Sequence, residues 1–130
     1  MPSPLAPPRG TISYSLPEYE DRTSFFNMYD SAQTLEPFTP VEVVGYPAHT
    51  VELVKAQGDD TRHTAEADDE LVLVVEGEVS CVFSDNGSRV ASARAVEGEI
   101  LLLPRGLEYQ LSGPAEDPGL FIHFRTRRGA

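Results

Sequence analysis

From residue 40 onward, apolar and polar positions follow one another in short runs of strand length. The runs are VEVV (41–44), HTVELVKA (49–56), ELVLVVE (70–76), EVSCVFS (78–84), RVASARAV (89–96), EILLLP (99–104), EYQLS (108–112) and LFIHFRT (120–126). Several alternate with period two, and β-branched residues are frequent, as a half-buried pleated strand requires. Gly45-Tyr46-Pro47, Gly58-Asp59-Asp60, Asp85-Asn86-Gly87, Gly98, Pro104-Arg105-Gly106 and Gly113-Pro114 interrupt them with turn chemistry. Asp85-Asn86-Gly87 reads as the tip of a hairpin. Eight or so short strands with no long helical period predict an all-β, antiparallel sandwich or barrel.

The run 70–76 departs from simple alternation. Val72 and Val74 share a face with Glu70, while Leu71, Leu73 and Val75 occupy the other, so both faces are apolar. The run EILLLP behaves likewise after its first residue. An antiparallel strand with a wet face would show polar residues there. A cover is therefore expected: the N-terminal segment, a second subunit, or both. A homodimer is the expectation, because an uncovered aliphatic row invites aggregation. Residues 1–10, with four prolines, read as an extended arm, and 11–130 as a single domain. Within 11–40, Phe25, Phe26, Met28 and Tyr29 lie between Pro17 and Pro37, which suits either a short helical turn or a strand laid over the barrel mouth.

Charge and composition narrow the partners. The chain has 130 residues and a net charge of −11, which repels phosphate backbones and anionic lipid, so neither nucleic acid nor membrane is expected as a partner. No apolar run approaches the ~20 residues of a bilayer-spanning helix. Cys81, the single cysteine, excludes an internal disulfide and falls in the apolar alternation VSCVF, so it reads as a small buried side chain. The N-terminal MPSPLAPPRG has neither a basic start nor an apolar core, so it does not read as a signal peptide, and a cytoplasmic setting is expected.

The spacing of particular residues carries more. Glu70 is followed by six residues and Gly77; Gly98 is followed by five residues, Pro104, Arg105, Gly106, two residues and Tyr109. Over roughly residues 50–125 this pattern resembles the two motifs of the cupins, small antiparallel jelly-roll barrels. The resemblance implies a jelly-roll barrel with an N-terminal arm. In typical cupins two His of a His-x-His pair, a Glu and a third His bind a divalent ion. Here the third His position is Tyr109. Counting from Gly58 places the pair on Thr64 and Glu66; counting back from Glu70 places it on His63 and Ala65. Neither register restores His-x-His, and an oxygen-rich remainder suits iron, nickel or zinc poorly. No metal or other cofactor is expected.

Glu70 and Tyr109 do not depend on the register and form the leading catalytic pair. A carboxylate in an apolar lumen is expected to have its pKa raised toward neutrality, the condition for general acid or base work. His63 and Glu66 are further catalytic candidates, each inward in only one register. Arg62 and Thr64 share Glu66's parity; facing inward, Arg62 could bind a substrate carboxylate. Val72 and His123 are candidate pocket-wall residues. Each has a structural alternative: Val72 as core, His123 as a satisfied buried histidine, and Glu66 and His63 as members of a solvated acidic segment. No nucleophile elbow and no phosphate-binding glycine loop occurs.

Three functional readings follow. The first is a metal-independent cupin enzyme performing isomerisation, dehydration or cyclisation on a small, largely apolar molecule, of the kind similar barrels perform in bacterial small-molecule pathways. The second is a metal-dependent dioxygenase or lyase, since GDDTRH and VEGEILLLPRGLEY resemble hydroxyanthranilate dioxygenases. The third is a ligand-binding barrel without chemistry.

Overall fold

A computed structural model describes residues 27–85 and 88–127. The arm at 1–10 and the aromatics Phe25 and Phe26 lie outside the described residues, as does the Asn86-Gly87 tip. Among the described residues, one short helix, α1 (Met28–Ala32), precedes nine strands: β1 (Val41–Gly45), β2 (His49–Ala56), β3 (Gly58–Thr64), β4 (Glu70–Glu76), β5 (Glu78–Asp85), β6 (Ser88–Val96), β7 (Ile100–Leu103), β8 (Glu108–Gly113) and β9 (Gly119–Thr126). They form two antiparallel sheets, ordered β1-β2-β9-β4-β7 and β3-β8-β5-β6. This is the jelly roll anticipated from the pattern.

The eight runs read from the sequence all became strands. β3 did not announce itself, because GDDTRHT contains no apolar residue. Among the described residues it is an edge strand of the four-stranded sheet, paired with β8 and largely exposed, so its described environment demands no hydrophobic alternation.

The main core lies between the sheets. Val54, Val72, Val74, Leu103 and Phe121 from one sheet meet Val79, Cys81, Ala95, Tyr109 and Leu111 from the other. Burial pushes the Cys81 thiol up to about 11. Iodoacetamide at pH 8 is therefore expected to label Cys81 only when the protein is unfolded, which mass spectrometry with and without urea would check.

A second, smaller cluster sits on the outer face of the five-stranded sheet. Leu53, Leu120 and Ile122 pack with Leu35, joined by Met28, Ala32, Leu73 and Val75. Asn27 caps α1 by accepting hydrogen bonds from the Tyr29 and Asp30 amides at 3.1 and 3.0 Å. The described part of the N-terminal segment, Met28 to Leu35, thus forms the short helical turn and covers part of the apolar outer face. Leu71, Ile100, Leu102 and Phe124 remain exposed on that face among the described residues.

Gly77, between β4 and β5, has φ +72°, and a Cβ there would meet the Gly119 Cα at 3.0 Å. Only glycine suits that turn and that close approach. Gly98 and Gly106 also have positive φ, so the motif glycines sit where the backbone needs them.

Candidate functional site

The strands bring Glu70, His123 and Tyr109 together at one end of the sandwich. Glu70 opens β4 with its side chain inward, in the same parity as the core residues Val72 and Val74. His123 lies on the neighbouring β9, directly opposite Val72 and so diagonal to Glu70. Tyr109 comes from β8 in the other sheet. Its hydroxyl donates to Glu70 Oε1 at 2.9 Å. His123 Nε2 meets the same oxygen at 2.7 Å. All three residues are buried, with exposures of 9%, 8% and 4% for Glu70, His123 and Tyr109.

The electrostatics differ from the sequence expectation. Burial alone would raise the Glu70 pKa. The His123 contact, the Tyr109 hydrogen bond and the nearby Arg125 charge outweigh it, and the carboxyl is held below its ordinary value. The expected shift toward neutrality is therefore corrected to a downward one: the lumen at Glu70 is lined by donors and a cation, not only by aliphatics. With Glu70 ionised, the 2.7 Å contact requires the proton on Nε2, so His123 donates. Tyr109 shifts the other way, pushed well above its ordinary value by burial and by the Glu70 charge, and it remains a neutral phenol.

A cavity of about 430 Å³ opens over this group, lined by Arg62, His63, Thr64, Glu66, Ala67, Glu70, Tyr109, Arg125, Thr126 and Arg127. Five of the sequence candidates thus share one cavity wall with Glu70: Arg62, His63, Thr64, Glu66 and Tyr109. Two do not. Val72 is fully buried and belongs to the core. His123 is not among the lining residues; it stands behind Glu70. The wall is also mostly polar, which replaces the expectation of an apolar lumen around the substrate.

The register of 63–66 is settled by pairing. His63 lies directly opposite Tyr109, and Ala65 is fully buried, so His63 and Ala65 take the inward parity. The β3–β8 register shifts by one between Asp59 and Arg62, which is why a count from Gly58 misleads. His63 Nε2 is held by Asp60 Oδ2 at 3.0 Å, and its ring lies 5.7 Å from that of Tyr109. Arg62, Thr64 and Glu66 form the rim; Arg62 pairs with Glu108 at 3.6 Å. The loop before Glu70 is pinned by the second motif: Gly106 N donates to Ala65 O at 2.9 Å, and Arg105 N to Asp69 Oδ1 at 2.7 Å.

Arg125 and Glu52 were missed. Arg125 Nε and Nη2 donate to Glu52 Oε1 and Oε2 at 2.7 and 3.3 Å. The signal was present in HTVELVKA: a carboxylate at an inward position, in the parity of Val54 and Ala56, needs a cation opposite it.

No protein-family model matches the chain, and no curated protein matches it. Solved structures do. A cupin-2 domain containing protein from Shewanella frigidimarina aligns with 78% of this chain and 94% of its own, at 20% identity and TM-score 0.66. The chain has the cupin fold. A chain of hydroquinone 1,2-dioxygenase PnpCD, solved with Cd2+ and 4-hydroxybenzonitrile, aligns over 94% of this cupin-fold chain and 83% of its own, at 24% identity and TM-score 0.77. In PnpCD solved with Fe3+, a chain matches at 11% identity and TM-score 0.76, with 90% of this chain covered but 36% of that one.

Metal-binding members of the cupin fold raise the question of an ion. Among the described residues, no three or more His, Cys, Asp or Glu side chains group to hold one. Glu70 and His123 are two donors already in contact with each other. The third would be the Tyr109 phenol, a poor ligand for such an ion beside imidazole nitrogen, and its hydroxyl is already donated to Glu70, with the Arg125 guanidinium close by. These residues do not fit a first-row divalent ion.

Proposed function

We propose that this chain is a small cupin-type enzyme whose Glu70 acts as a general base in an isomerisation, dehydration or cyclisation. One observation carries the reading: the two oxygens of Glu70 are unequal. Oε1 accepts from both Tyr109 and His123, while Oε2 has no partner among the described residues and belongs to a side chain lining the cavity. A carboxylate fixed through one oxygen presents the other in a single orientation, which lowers the entropy cost of meeting a substrate proton. Its lowered pKa keeps it ionised at neutral pH and makes it a weaker base than a carboxylate in an apolar lumen would be, so orientation and not base strength carries the step. On accepting a proton it becomes a weaker acceptor for Tyr109, and the hydroxyl is freed to donate to a developing oxyanion. His123 is a positioning residue: it holds Oε1 from behind.

Deuterium uptake from D2O into small carbon acids, such as ketones, hydroxy ketones and keto acids, would test this by proton NMR. Wild-type protein should catalyse exchange into at least one class. Absence of exchange across the panel would remove the acid/base reading.

The exposed Leu71, Ile100, Leu102 and Phe124 form an apolar row on the outer face of the five-stranded sheet, and two copies of this chain are expected to pair through it. Sedimentation of the purified chain tests the pairing: a homodimer runs at twice 14.2 kDa and becomes monomeric in Leu102→Glu, whereas a monomeric wild type removes it.

A further inference from the structure

We propose that the cavity takes a small carboxylate, anchored end-on by the free edge of the Arg125 guanidinium. This deepens the acid/base reading and rests on the same cavity.

A guanidinium offers two donor edges. Glu52 occupies the side edge, receiving hydrogen bonds from Nε and Nη2. The end edge, Nη1 with the second proton of Nη2, has no protein acceptor among the described residues. Two parallel N–H groups in one plane match the two oxygens of a carboxylate. Arg125 lines the cavity beside Glu70 and Tyr109. Glu52, buried at 8% exposure, cannot swing away, so it fixes the plane of the guanidinium.

Pairing singles out Arg125 among the arginines of the wall. Arg62 pairs with Glu108 and Arg127 with Glu42, whereas the end edge of Arg125 keeps no protein acceptor among the described residues beside Glu70 and Tyr109. A phosphate dianion suits the site less well: one free guanidinium edge supplies two donors, and Glu66 and Glu70 repel a second charge.

The test uses benzoate, its neutral isostere benzamide, and inorganic phosphate, with dissociation constants from NMR titration of the full chain. Benzoate should bind at least about tenfold more tightly than both others, with the preference weakening in added salt. Arg125→Gln should abolish the preference. Because that variant leaves Glu52 buried without its cation, the double variant Glu52→Gln/Arg125→Gln is the decisive one. It removes both charges, and it should bind benzoate and benzamide alike. Equal binding of the two probes by wild type, tighter binding of phosphate, or a benzoate preference surviving in the double variant each overturns the proposal. Glu70→Gln should retain the preference while losing deuterium exchange. Benzoate binding without exchange would therefore leave the anchor standing and remove the base, and exchange without benzoate preference would do the reverse.

Discussion

Replacing Glu70 by Gln is expected to lower catalysed deuterium exchange by about 10²–10⁴-fold, the range for loss of a positioned general base. The amide keeps the size of the carboxylate and one acceptor oxygen for Tyr109 and His123, so the fold should persist. The loss in stability at neutral pH should be about 1 kcal/mol, the difference between charged and neutral hydrogen bonds. The variant also carries a pH signature. Glu70 is held below its ordinary value of 4.5, so the folded protein binds this proton less readily than the unfolded chain. The contribution is fully present above about 4.5 and is lost as the pH falls through the lower folded-state value. The stability gap between wild type and Glu70→Gln should therefore be widest at neutral pH and close on acidification. Urea unfolding of both proteins at pH 7 and at about pH 3 would show it. A gap that is constant or widens in acid contradicts the ionised, doubly bonded carboxylate.

The largest stability effect is expected at Phe121. Its ring is 1% exposed, its strand neighbours are Val54 on β2 and Val74 on β4, and it lies 6.2 Å from the His123 ring. Phe121→Ala should cost about 3–5 kcal/mol through lost transfer energy and the cavity left behind. Domains of this size are stable by about 5–15 kcal/mol, so the variant is expected to unfold at far lower urea or to be isolated only partly folded. Val82→Thr, at a 40% exposed position of β5, should shift stability by less than about 1 kcal/mol. Comparable losses at the two positions would contradict the core placement of Phe121.

Much of the architecture was legible in the pattern of the chain. Strand-length runs, turn residues and the spacing of Glu70, Gly77, Gly98, Pro104 and Gly106 report backbone requirements, and those requirements are local. β3 was not legible, because an exposed edge strand has no hydrophobic face to reveal it. Glu70 and Tyr109 meet as expected, since each is placed by a motif. Their chemical state was not readable. Whether a buried carboxylate has its pKa raised or lowered depends on what stands around it, and His123 and Arg125 arrive from a strand more than fifty residues away in the chain. The polar cavity wall escaped for the same reason: Arg125 and Thr126 join it through pairing of β9 with β2, and Arg127 follows with its amide donating to Ala48 O, none of which strand periodicity alone specifies.

The bond between Tyr109 and Glu70 ties one layer of the sandwich to the other. Its length works as a caliper on the gap between layers. A methylene added or removed deep in the interior, far from any cavity-lining atom, would open or compress that gap by tenths of an ångström and retune the acidity of the carboxyl. Packing in the middle of this barrel thus sets the acidity of a carboxyl at its end.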